Sequence, residues 1–163
     1  MAKLSLTSPV FNNMGEIPLK YTCQGDEINP PLRISGVPPN SRSLVLIVED
    51  IDPPIPFGIT ITHWVICHLD PNTTEIPEGA SLDDAIIGKR TGGRHEYMGP
   101  CPPFGTHRYV FKLFALDKKL ALNSDSRKKK VLKAMKGHII LQTTLTGVYK
   151  KHKLEKKSKD KSK

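Results

Sequence analysis

The chain reads as mainly β, a β-sandwich, and three observations carry that reading. Its most apolar segments, at 43–50, 59–69 and 110–116, are short and dense in branched and aromatic residues, as strands are. Proline and glycine recur between the segments, 14 and 12 in 163 residues, and such punctuation suits a sandwich better than βαβ units. Helical spacing is confined to the region after Ser124, so the helices expected are few, short and C-terminal.

Taken in order, residues 4–11 alternate Leu4 and Leu6 with Ser5 and Thr7, which predicts a first strand ended by Pro9 and Asn12-Asn13. Residues 15–40 are rich in turn formers, with a short extended piece at 32–35. The segment 43–50 is apolar on both faces until Glu49 and Asp50. Asp50 shares parity with Leu44, Leu46 and Val48, so it is expected on the same face as three core residues. A stiff loop follows, Asp52-Pro53-Pro54-Ile55-Pro56, and then a strand over 59–69 in which parity puts His63 with Ile61, Val65 and Cys67. Residues 72–94 read as a long polar connection with a helical turn around 82–87. Ser124 is a candidate N-cap for a helix carrying Val131, Leu132, Met135 and Ile139 on one side. Gly137 then predicts a kink or two short helices up to about residue 145.

The second stiff loop, Gly99-Pro100-Cys101-Pro102-Pro103-Phe104-Gly105, cannot be a central strand because its prolines have no N–H to donate. It delivers His107 at the mouth of the strand 110–116. Either that histidine is hydrogen-bonded in the core, or the loop presents it to a preorganised site. His63 poses the same choice.

Charge and cysteine content limit the function classes. The net charge of +9 sits mostly in residues 150–163, where eight lysines face Glu155 and Asp160; this segment supplies +6 and the rest of the chain +3. A disordered, lysine-rich tail is expected there, solvated rather than built for specific nucleic-acid binding, since no aromatics are interleaved for stacking. The expectation is one domain over 1–149. A mean hydropathy of −0.34, no apolar run of membrane length and no leader-like start point to the cytoplasm. Cys23, Cys67 and Cys101 are odd in number and form no CxxC, which argues against a disulfide framework while leaving room for one pair.

The run Leu46-Ile47-Val48-Glu49-Asp50-Ile51-Asp52-Pro53-Pro54 with His63-Trp64 resembles the first signature of the phosphatidylethanolamine-binding protein family. Tyr97-x-Gly99-Pro100-Cys101-Pro102-Pro103-x-Gly105-x-His107-Arg108-Tyr109 resembles its second, in the bacterial and archaeal form. Tyr21-Thr22-Cys23-x-Gly25, Pro30-Pro31-Leu32, Gly137-His138-Ile139 and Leu145-x-Gly147-x-Tyr149 are also similar. The loop has Ile51-Asp52-Pro53 where the family usually has Pro-Asp-Ala, and both aspartates are kept. The resemblance, to a Raf kinase inhibitor protein-like chain, implies a β-sandwich of antiparallel sheets with short C-terminal helices. It also implies a small anion pocket lined by Asp50, Asp52, His63, His107 and the backbone of Cys101, Pro102 and Pro103. The implied ligand is a phosphate-containing small molecule or a phospholipid headgroup, the implied protein partners a kinase or serine protease that the chain restrains, and a homodimer is implied as well. Neither catalysis nor a cofactor is implied. The bottom-up alternative is a metal- or cysteine-dependent hydrolase that uses Asp50, His63, His107 and Cys101.

Overall fold

In the computed structural model, which describes residues 3–56 and 58–154, nine strands form two packed sheets with one short α-helix and a 3-10 turn at Leu19–Tyr21. The strands are β1 (Ser5–Thr7), β2 (Gly15–Glu16), β3 (Leu32–Ser35), β4 (Ser43–Asp50), β5 (Ile61–Leu69), β6 (Glu75–Ile76), β7 (Ile86–Ile87), β8 (His107–Leu116) and β9 (Ile139–Tyr149). The smaller sheet runs β1-β3-β6 and the larger β2-β9-β8-β4-β5-β7. Neighbours pair antiparallel except β2 with β9, which are parallel.

Strand β4 is buried along its whole length because both of its faces are covered. Leu44, Leu46 and Val48 meet Leu6, Ile34, Trp64 and Phe111 between the sheets. Val45 and Ile47 face the other way, against Val65, Cys67 and Phe114, under Val131 and Met135 of α1 (Lys128–Met135). Two-sided cover explains why β4 lacks the polar alternation of a surface strand.

Three segments differ from the sequence expectation. The helix starts after Arg127, since Asn123–Ser126 closes a turn of its own. In that turn the Ser126 N–H donates to the Asn123 carbonyl and the Asp125 N–H to the Asn123 side chain, so Ser124 caps nothing. It ends at Gly137, whose φ of +81° belongs to the left-handed region that terminates helices. No second helix follows up to residue 149, because Ile139–Tyr149 is a strand that matches β8 at ten positions, and Leu132 and Ile139 lie exposed. Within 72–94, a single turn at Leu82–Ala85 leads into β7, which pairs with β5. The first strand is only three residues long.

The body extends slightly past residue 149. The His152 ring stacks on Tyr149, its Nε2 lies 2.8 Å from Glu16, and its backbone exchanges hydrogen bonds with the Gln24 side chain. The expected lysine-rich tail falls, from residue 155 on, outside the described residues. No helix among the described residues is long and apolar enough to cross a membrane.

Candidate functional site

The two proline loops meet at one end of the sandwich, where β4, β5 and β8 bring Asp50, His63 and His107 around a cavity of about 220 Å³. Cys101 lines it too, together with Pro54, Ile61, Met98, Gly99, Pro103 and Tyr109. Asp50 arrives as parity predicts. It pairs with Tyr109 across the β4–β8 ladder, one residue pair beyond the Glu49–Val110 match.

His63 arrives by a bulge. Val48 pairs with Trp64, but Glu49 pairs with Thr62, so His63 is the extra residue on β5. Simple alternation would align it with Val65 and Cys67, which pack under the helix. The bulge instead aims it into the cavity beside Tyr109, with ring centroids 5.3 Å apart.

Hydrogen bonds orient both imidazoles. His63 Nδ1 lies 2.6 Å from the Met98 carbonyl, which can only accept, so Nδ1 carries the proton. His107 Nδ1 donates in the same way to Asp50 Oδ2 at 2.8 Å, and Asp50 Oδ1 accepts the Asp52 N–H at 2.8 Å. Each ring therefore keeps Nε2 for the cavity. Burial lowers the pKa of His63, which outweighs the opposing pull of the Met98 carbonyl and the Asp50 charge. The Tyr109 hydroxyl is buried without a hydrogen-bond partner. Burial first, and then the charge of Asp50, push it far above the ordinary phenol range; the Cys101 amide, short of full hydrogen-bond geometry, pulls the other way. It thus stays a protonated donor. The sequence places Tyr109 in the second signature without a role, and the neighbouring Asp50 and His63 mark it as part of the site.

Asp52 does not line the cavity. Its carboxylate accepts the Arg108 backbone N–H and both arms of the Arg108 guanidinium at 2.8–2.9 Å, which lowers its pKa and ties the first loop to the start of β8. Pro102 is buried outside the lining. Cys101 is bonded to Cys23, with Cα atoms 5.4 Å apart, so the one available pair does bridge while Cys67 stays a buried free thiol. The bridge fastens the loop to residues 21–25, where the Cys23 N–H also donates to the Pro100 carbonyl. Gly99 is needed at this crossing, since a Cβ there would come within 2.7 Å of the Tyr21 carbonyl oxygen.

The hydrolase alternative finds no support. Cys101 in its bridge has no thiol to attack with, and among the described residues no group of three or more His, Cys, Asp or Glu side chains is placed to hold a metal ion.

A two-sheet β protein with a small, mostly apolar cavity edged by two oriented imidazoles and a tyrosine is thus the class that fold and site define. The model of the phosphatidylethanolamine-binding protein family matches residues 7–150, and the chain belongs to that family. The UPF0098 protein of Methanothermobacter thermautotrophicus is 41% identical over 153 residues, covering 91% of this chain and 99% of the relative. The UPF0098 protein PH1269 of Pyrococcus horikoshii is 46% identical, covering 91% and 78%. Among solved structures, one described as a phosphatidylethanolamine-binding protein homologue from Chlamydia trachomatis superposes with a TM-score of 0.89 at 42% identity, covering 93% of this chain and all of the other. Escherichia coli YbcL, described as a new member of the mammalian family, gives 0.84 at 26% identity with the same coverage.

Proposed function

We propose that the chain is a non-catalytic binding protein whose cavity takes a phosphate-bearing small molecule or headgroup. One observation carries this reading. Two imidazoles with Nδ1 already committed, and a buried tyrosine hydroxyl with no partner, surround a cavity of oxyanion size. A buried hydroxyl without a partner costs about 1–3 kcal/mol, which an accepting phosphate oxygen would recover. Neutral Nε2 atoms accept a hydrogen bond from a protonated phosphate oxygen, and protonated ones donate to an ionised oxygen. Asp50 is a positioning residue, since both of its oxygens are engaged by His107 and the Asp52 amide.

Binding, rather than turnover, is then the output. A regulatory role toward a kinase or serine protease is one form that such binding can take. The test follows the imidazole resonances of His63 and His107 by NMR while inorganic phosphate or phosphoethanolamine is added. Both sets should shift and saturate, more tightly at mildly acidic than at mildly alkaline pH. Unmoved resonances at millimolar ligand would remove the site.

A further inference from the structure

We propose that the Cys23–Cys101 bridge is a redox switch for the cavity. Closed, it holds the second loop in the binding arrangement; opened by a dithiol reductant, it lets the loop go and weakens phosphate binding. The proposal rests on the phosphate-binding reading above and names a regulator of that same site. The loop supplies much of the cavity wall, since Met98, Gly99, Cys101 and Pro103 all line it. The Met98 carbonyl also orients His63, and the Cys101 amide approaches the Tyr109 hydroxyl.

What holds this loop in place changes at Cys101. Up to Pro100 it is tied by hydrogen bonds. The Met98 N–H donates to the His63 carbonyl at 2.9 Å, the Gly99 N–H to Glu27 at 3.2 Å, and the Cys23 N–H to the Pro100 carbonyl at 3.1 Å. From 101 to 106 no backbone hydrogen bond of full geometry joins the loop to its surroundings among the described residues, and Pro102 and Pro103 have no N–H to give. Pro102 is buried, and beyond its packing the fastening between Pro100 and β8 is the bridge.

The bridge also lies within reach of a reductant. Cys101 is exposed and Cys23 half-buried, whereas Cys67 is fully buried. Neither core cluster contains Cys23 or Cys101, so opening the bridge loosens the loop and leaves the sandwich packed. The reaction is thiol–disulfide exchange. One thiolate of the dithiol attacks Sγ of Cys101, the more exposed partner; the bond between the sulfurs breaks, and Cys23 leaves as a thiolate that takes up a proton. The second thiolate of the reductant then displaces Cys101, which is protonated in turn, and the reductant ends as its own disulfide. Two electrons and two protons pass to the bridge. Once open, the loop keeps its hydrogen bonds up to Pro100 and samples several positions beyond it, so a ligand must first order it.

The experiment titrates inorganic phosphate into three samples while the His63 and His107 resonances are followed. These are the oxidised full chain, the same chain held in excess dithiothreitol, and the double variant Cys23→Ser, Cys101→Ser. In the reduced chain and the double variant the shifts should saturate at about tenfold higher phosphate than in the oxidised chain, with amide dispersion retained. Cys67→Ala, which keeps the bridge, should bind as the parent does and lose affinity in dithiothreitol to the same degree. Equal or tighter binding after reduction, or in the double variant, overturns the switch and leaves the cavity reading in place. So does a Cys67→Ala chain whose affinity ignores dithiothreitol. Loss of amide dispersion on reduction makes the bridge a staple of the whole fold and overturns the switch as well. No histidine response in the oxidised chain overturns the cavity reading, and this proposal with it.

Discussion

Glu49 and Asp50 are neighbours on β4, both almost fully buried, yet they meet opposite sides of the sheet and different chemistry. Glu49 faces the helix, where Lys112 and Lys128 reach it at 2.6 and 2.7 Å and Thr60 donates a third hydrogen bond. Burial alone would raise its pKa, but these three partners outweigh it and hold the carboxyl at about 2. Every acceptor there is served from within the protein. Asp50 faces the cavity, where it fixes one imidazole and the hydroxyl of the adjacent Tyr109 is left without a partner. The lesson is that burial of charge does not mark a site by itself. An unpartnered hydroxyl beside two oriented imidazoles does, whereas Ser41 Oγ and Arg90 Nε, also buried without partners, line no such cavity.

The largest way to separate the two regions is covalent. The second cavity loop is stapled to residues 21–25 by Cys23–Cys101 across 78 residues, whereas the Glu49 cluster needs no such tie. Reduction, or Cys23→Ser, should cost about 4 kcal/mol of unfolding free energy in denaturant titration, on the chain-entropy account of a closed loop. Thiol titration of the denatured protein should find one free cysteine, Cys67, before reduction and all three after it. Three thiols in the untreated protein would refute the bridge.

Glu49→Gln comes next. It leaves two ammonium groups without their carboxylate and should lower stability by about 2 kcal/mol with phosphate binding unchanged. Asp50→Asn should do the reverse, weakening phosphate binding about tenfold with a smaller loss of stability. If both variants behave alike, the contrast between the two faces is wrong. The stability that ionised Glu49 contributes is complete above its unfolded pKa near 4.5. It should fade as pH falls from there through its folded value of about 2.

The smallest effect belongs to His63. Its folded pKa lies below the ordinary imidazole value of 6.5, so below that pH the unfolded chain binds the extra proton more readily than the folded one. Stability should therefore decline as pH falls from 6.5 through the folded value, and His63→Gln should flatten that slope in a pH series of denaturant titrations. Added phosphate should oppose the decline, because a bound anion favours the protonated ring.

Much of this was legible before any coordinates. Both-sided apolar runs define β4, β5 and β8 because strands covered on two faces lose their polar alternation. Asp50 follows β4 parity into the cavity for the same reason. The second proline-stiffened loop also announced His107, and the family resemblance added Cys101. Other residues depended on what lies across from them. Parity aligned His63 with Ile61, Val65 and Cys67; the bulge opposite Val48 and Glu49 kept it beside Ile61 in the cavity and parted it from Val65 and Cys67. Asp52 carried the spacing of a site residue, yet the Arg108 guanidinium brought beside it by β8 took both of its oxygens. Ile139 fitted a helical stripe with Val131 and Met135 until pairing with β8 claimed it for a strand.

What the order of residues determined by itself is the central strands β4, β5 and β8 and which loops are stiff, since these depend on steric and hydrophobic preferences only a few positions long. What only the tertiary structure decided is which polar groups are satisfied and which wait for a ligand. That outcome is set by pairing between distant strands, and no local pattern encodes it.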